Sequence, residues 1–286
     1  NIKKEQGNLG RISMEKIKKK IDIKRITSAL LGFPLIAAVL IFGNELVIDI
    51  VFTVVAIMCL HEYFSCFKDK AKPIQEIGYI SALIIPIIHI LEPRQFVYLL
   101  LIIPITVVWI FLRVIVSNMK ITIYDAAVTL LGIIYIVGFM IFLPLIIDLQ
   151  DGKLLVWYAL FTAWGTDVFA YLIGKAFGKH KFTEVSPKKS IEGCVAGIIG
   201  AIVFVLVYTY VLNTYMNFNI SYLYITVVAI FLSIIGQIGD LSASTIKRYA
   251  GIKDFSNLIP GHGGMLDRLD SVIFVAPFAF FFLTIM

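Results

Sequence analysis

The sequence predicts an all-α, polytopic integral membrane protein of about nine transmembrane helices, N-terminus in and C-terminus out. Three observations lead there. Hydrophobic residues fill 59% of 286 positions and mean hydropathy is +0.92, far more than one soluble core of this length needs. Apolar runs of roughly 17–25 residues, enough to cross ~30 Å of hydrocarbon, recur along the chain. With a cytoplasmic N-terminus and these spans, 23 of the 25 Lys and Arg fall inside, leaving only Arg94 and Lys153 outside. That asymmetry is the positive-inside rule.

The elements follow in order. Residues 1–25 form a basic cytoplasmic segment, whose "KIKKKIDIKR" suits anionic lipid headgroups. No aromatic or folded module accompanies it, so it reads as a topology determinant and not a nucleic-acid arm. The chain opens on Asn; residues 1–13 read as an upstream extension, with Met14 a candidate native start. The spans are read at 26–42, 46–66, 77–91, 95–116, 122–147, 154–174, 191–212, 220–239 and 270–286. Gly43 and Asn44 lead from the first directly into the second, so the first is not a cleavable signal. The third is short and broken by Pro86. The fifth is long enough to tilt or kink, with Pro144 near its end. Residues 26–153 therefore make an N-terminal bundle of about five helices. Residues 154–286 make a second region with cytoplasmic loops at 175–190 and 240–269. Cys59, Cys66 and Cys194 lack metal spacing and read as core.

Ionisable residues at membrane depth are costly and usually functional. In the first five spans these are Asp49, His61, Glu62, His89 and Asp125, several near span ends, and they read as structural or interfacial. From residue 164 the pattern changes. Asp167 lies inside span six, a basic loop follows, and Glu192 opens span seven. Asp240 closes span eight, and "IPGHGGMLDRLD" (259–270) opens span nine on the same side of the membrane.

Asp267 and Asp270, three apart, share one face of a helix. Two carboxylates there repel unless a cation lies between them, and oxygen-only donors favour Mg²⁺ or Mn²⁺ over zinc. Asp240 is a third donor if spans eight and nine are neighbours. Gly261, Gly263 and Gly264 permit close backbone approach and precede a helix N-terminus suited to phosphate. Lys188, Lys189, Lys247, Arg248, Lys253 and Arg268 surround that point with positive charge. Carboxylates for a metal beside cations for phosphates describe phosphoryl or nucleotidyl transfer. Singly, each feature has a plainer reading: an ion pair with Arg268, a helix cap, a turn at Pro260, or topology lysines. Their coincidence on one side favours a site. "GKAFGKH" is not a P-loop, because it is one residue short and His180 replaces the Ser or Thr.

Ser244-x-x-Lys247-Arg248, Lys253-Asp254-x-Ser256, Pro260-x-His262-Gly263-Gly264 and Asp267-Arg268-x-Asp270 together resemble the C-terminal signature of phosphatidate cytidylyltransferases, also called CDP-diacylglycerol synthases. A second block, Phe177-Gly178-Lys179-His180 with Ser186-Pro187-Lys188-Lys189 and Glu192-Gly193, is similar to theirs too. There Ser190-Ile191 stands where the family usually shows Thr-Trp. The opening "KRITSALLGFPL" adds to the likeness. The resemblance implies that CTP and phosphatidic acid give CDP-diacylglycerol and pyrophosphate, a step of phospholipid biosynthesis, at the cytoplasmic face of the cell membrane. It implies catalytic Asp267, Asp270, Arg268 and His262, and a divalent metal on Asp240, Asp267 and Asp270, with a second cation left open. Substrate contacts are implied for Ser186, Lys188, Lys189, Glu192, Ser244, Lys247, Arg248, Lys253, Asp254, Gly263 and Gly264. Its partners are CTP and bilayer phosphatidate, without nucleic acid; a homodimer is an assembly the sequence permits. Two alternatives stay open. One is another CTP-using lipid (prenol) kinase or transferase; the other is an ion-coupled transporter, for which no repeated halves are visible.

Overall fold

In a computed structural model of the chain, residues 34–91, 97–259 and 263–286 are described, the side chains of 88–102 excepted. The basic N-terminal segment, Met14, Arg94, Pro260, Gly261 and His262 thus lie outside the described residues. Helix α1 is described over 34–42. Then come α2 (Glu45–Cys66), α3 (Gln75–Ala82), α4 (Ile84–Leu91), α5 (Val97–Val116) and α6 (Ile123–Gly132). A π-helical turn (Ile133–Val137) leads into α7 (Gly138–Met140) and α8 (Phe142–Ile147). Last are α9 (Gly152–Phe177), α10 (Ile191–Tyr215), α11 (Tyr222–Ala250) and α12 (Leu266–Thr284). No strand occurs among the described residues, only isolated bridges. The all-α class is as expected.

Five stretches among the described residues are long and apolar enough to cross a membrane: α2, the α6–α8 unit (Ile123–Ile147), α9, α10 and α11. The expected third span is two short helices, and the chain breaks at Leu83 and not at Pro86. Pro86 occupies the first turn of α4, where its missing N–H removes no helical bond. The expected fifth span, read as long enough to tilt or kink, is interrupted by the π turn and again at Ile141. Thr122 starts it with a capping box shared with Asp125, which also accepts the Lys72 N–H at 2.6 Å.

Helix α11 differs most from expectation. It runs eleven residues past 239, carrying Asp240 to Arg248 on helix where a loop was expected. "LSASTIKRYA" contains no Gly or Pro, so nothing stops the helix until Gly251, whose φ of +77° caps it. Helices α9 and α10 approach closely: a Cβ on Gly193 or Gly197 would lie 2.8 or 2.9 Å from the carbonyls of Ala170 or Thr166. Thr166 on α9 and Ser233 on α11 share a 2.7 Å hydrogen bond inside the core. Helix α12 packs among α8, α9 and α11 and also touches α2 of the N-terminal bundle. The first turn of α12, the last turns of α11 and the end of α9 therefore meet at one end of the molecule.

Candidate active site

Asp267 is the hub of that end. As the second residue of α12 it is buried, and its two oxygens accept from three donors. Lys247 Nζ reaches Oδ1 at 2.6 Å, while the N–H groups of Phe255 and Gly264 reach Oδ2, each at 2.9 Å. Lys247 is buried too, its ammonium 5.3 Å from the centre of the Phe255 ring. A buried ion pair is tolerable only when the remaining lone pairs find donors, and here backbone amides supply them. The expected sharing of one helix face holds: Asp270, one turn on, is buried beside Asp267.

Asp270 lies within electrostatic range of Asp240, Asp167 and Lys247. Asp167 in turn feels Asp240, Lys189 and Arg268, and accepts a 3.4 Å hydrogen bond from the Ser271 hydroxyl. Asp240 is paired with Lys189. Asp167, Asp240 and Asp270 with Lys189, Lys247 and Arg268, from α9, α11, α12 and the 178–190 loop, thus form one charged cluster beside Asp267. The expected neighbouring of Asp240 and the start of α12 is met. Asp167, not assigned to the site in the sequence reading, stands within it; a lone carboxylate inside an apolar helix is the signal that marks it.

The 178–190 loop is pinned at its base. Phe182 N–H bonds the Lys189 carbonyl and Ile191 N–H the His180 carbonyl, each at 3.0 Å. Ser186 accepts the Lys189 N–H through its own carbonyl, making a tight turn around Pro187. Glu192 accepts the N–H groups of Lys179 and His180 and pairs with His180 Nδ1 at 2.6 Å. Its carboxylate therefore shapes the loop. Lys188 is exposed, as are Lys253, Asp254 and Arg268, while Ser244 is partly buried along α11. Arg248 bonds the carbonyl of Val185 at 3.4 Å, bringing the two signature blocks together.

The glycine pair serves a purpose different from the one expected. Gly263 has φ +88°, and a Cβ there would fall 2.9 Å from Asp267 Oδ2. On Gly264 it would fall 2.5 Å from the carboxylate of Glu62. Glu62, on α2, accepts from the Ser256 hydroxyl (2.6 Å) and the N–H groups of Met265 (2.9 Å) and Leu266 (2.8 Å). The amides at the start of α12 are thus taken by protein carboxylates, Glu62 and Asp267. This corrects the reading of that N-terminus as an open phosphate cradle. Glu62, read from the sequence as structural or interfacial, is buried. Its partners lie some 200 residues away in sequence, so no local pattern announces it.

Among the described residues, no group of three His, Cys, Asp or Glu side chains is arranged to hold a metal ion. The donor chemistry nonetheless suits a hard cation: oxygen donors alone, with Asp240 and Asp270 having lone pairs beyond those used by Lys189 and by the Ser271 N–H. Mg²⁺ commonly takes one or two carboxylates and completes its shell with substrate phosphates and water. A cavity of about 690 Å³ lies at the opposite helix ends, lined by Gln150, Ser221, Tyr224 and Thr284, and shares no residue with this charged cluster.

Residues 23–286 match the sequence profile of the cytidylyltransferase family. A protein named phosphatidate cytidylyltransferase from Bacillus subtilis (strain 168) is 42% identical over 137 residues, 48% of this chain and 49% of that protein. Proteins of the same name from Staphylococcus haemolyticus (strain JCSC1435) and Staphylococcus aureus (strain COL) are 40% and 39% identical over 163 residues. Those matches cover 56% of this chain and 60% of each relative. The chain thus spans about half to three-fifths of the length of the curated relatives it matches.

Proposed function

The chain belongs to the cytidylyltransferase family, and from that premise we propose that it transfers CMP from CTP to phosphatidic acid, releasing pyrophosphate and forming CDP-diacylglycerol. The observation that carries this reading is the cluster in which Lys189, Lys247 and Arg268 stand among Asp167, Asp240 and Asp270. In the reaction an oxygen of the phosphatidate phosphate bonds to the α-phosphorus of CTP, and the bond to the β-phosphate bridging oxygen breaks. The nucleophile is already an anion near neutral pH, so no strong base is needed. The barrier is the approach of two anions, which positioned cations lower electrostatically.

Lys188, Lys189, Lys247, Arg248 and Arg268 hold the phosphates in this reading. Ser186, Ser244, Lys253 and Asp254 line the approach to them, and His262, outside the described residues, keeps the catalytic role that the family signature implies. Asp240 and Asp270 would hold Mg²⁺ or Mn²⁺, whose charge would neutralise the triphosphate and the departing pyrophosphate. Asp267, grouped with them in the sequence reading, has both oxygens taken by Lys247 and two backbone amides and orders the segment instead. Gly263 and Gly264 act indirectly, by leaving room for Asp267 and Glu62. An enzyme joining a soluble nucleotide to a bilayer lipid works at a membrane surface, and in the nine-span, N-in arrangement that the sequence predicts these side chains would face the cytoplasm.

Purified full-length chain in phosphatidate-containing nanodiscs, given α-³²P-labelled CTP and Mg²⁺, should move label into lipid. Omitting phosphatidate should abolish that incorporation. A folded preparation that leaves all label water-soluble, or that labels a prenol and not phosphatidate, overturns the reading.

A further inference from the structure

Helix α12 begins without a cap of its own: Met265 occupies the N-cap position and its side chain accepts nothing. The first turn of a helix leaves several N–H groups without helical partners, together with partial positive charge. Here the cap comes from another part of the chain. Glu62 is 4% exposed, and its carboxylate takes the Met265 and Leu266 amides and the Ser256 hydroxyl. Among the described residues no Lys or Arg lies within ion-pair distance of it. Amides, a hydroxyl and the end of α12 are what offset its charge.

The segment that Glu62 grips is the one that Asp267 grips from the other side. Asp267 binds the amides of Phe255 and Gly264, while Glu62 binds Ser256 and the two residues after Gly264. Gly264 lies between the two carboxylates, with no room for a side chain. The position of Asp267, Arg268 and Asp270, one to four residues beyond the gripped amides, therefore depends on a carboxylate from α2.

We propose that Glu62 is a positioning residue for the transfer reaction, setting the start of α12 and Ser256 against the phosphate-binding cations. The proposal rests on the cytidylyl-transfer reading for its chemistry, and on geometry alone for the clamp. A glutamine at 62 has nearly the same shape but only one accepting oxygen for three donors. Its amide group must oppose at least one N–H or hydroxyl, and the charge facing the helix end is lost. A displacement near 1 Å at reacting groups costs about 100-fold in rate.

The test uses full-length Glu62→Gln and Ser256→Ala in nanodiscs, with melting temperature as a folding control. Steady-state kinetics are run in both substrates, with amide hydrogen exchange over 255–270. For folded Glu62→Gln we expect kcat to fall at least ~10-fold while KM for CTP and for phosphatidate stay within about 3-fold. Exchange at Met265 and Leu266 should quicken. Ser256→Ala, which removes one of the three donors and keeps the charge, should show the same split at about 3-fold. Folded Glu62→Gln with near-normal kcat, or a loss confined to KM, overturns the proposal. If Glu62→Gln does not fold, Ser256→Ala decides: unchanged kcat would make Glu62 a purely structural anchor and overturn it. An inactive wild type would sink the transfer reading instead. In that case, unchanged exchange at 265–266 in Glu62→Gln would separately sink the clamp.

Discussion

Asp267 accepts from Lys247, Phe255 and Gly264, and no neutral side chain of its size can do the same. Asparagine would turn an NH₂ group toward either the Lys247 ammonium or the two backbone amides. Breaking a buried ion pair by removing one partner costs about 3–5 kcal/mol. Asp267→Asn should therefore lower turnover at least ~100-fold and also lower the melting temperature. Radiolabelled lipid formation and a thermal melt in detergent check both, and near-normal activity with an unchanged melt refutes the assignment. Lys189 is different, since both it and Asp240 are partly open to solvent and the pair is worth little to stability. Its compact ammonium suits a triphosphate. Lys189→Ala should raise KM for CTP roughly 10-fold or more, with a smaller change for phosphatidate and little change in melting temperature. A larger effect on phosphatidate reassigns this loop to the lipid headgroup.

At the scale of elements, the start of α12 depends on Gly264 as much as on its carboxylates. A methyl group there would lie 2.5–2.7 Å from the atoms of the Glu62 carboxylate, well inside contact distance. Either the carboxylate withdraws from the Met265 and Leu266 amides or the segment shifts. Gly264→Ala should thus mimic loss of Glu62, lowering kcat by about 10-fold or more and speeding amide exchange at 265–266. Combining it with Glu62→Gln should add little, because both act on one contact. Full additivity in the double mutant would show that they act separately. Much of this end was legible beforehand: the shared face of Asp267 and Asp270 follows from helical spacing, and the neighbouring of Asp240 follows from two spans meeting. The length of α11 was not, because amphiphilic residues 240–250 look like loop to a hydropathy reading although nothing in them breaks a helix. Glu62 was illegible for another reason. A trans cap has no sequence period, and its partners became visible only when α2 was placed beside α12.

For the whole molecule, the two halves are joined at the site end. Glu62 holds α12, Lys70 donates to the Tyr249 carbonyl at the end of α11, and Tyr124 meets the Tyr249 hydroxyl at 2.8 Å. The earlier helices thereby buttress the end of α11 and the start of α12. Both signature loops occupy this end, since Arg248 bonds Val185 and Ser256 bonds Glu62, whereas Gln150 lines the cavity at the opposite helix ends. We therefore expect residues 183 and 256 to be reached from one side of the membrane and residue 150 from the other, with the distribution of basic residues predicting a cytoplasmic side for the first two. With the three native cysteines replaced by alanine, cysteines at Thr183 and Ser256 should react with an impermeant maleimide only when the cytoplasmic face is exposed. A cysteine at Gln150 should react in intact cells. Reaction of both 183 and 256 in intact cells, with 150 protected, would keep the architecture but invert it, and would remove the proposed site from cytoplasmic CTP. Reaction of 183 and 256 from opposite faces would break the helix arrangement itself, because Arg248 and Val185 could not then be hydrogen-bonded neighbours.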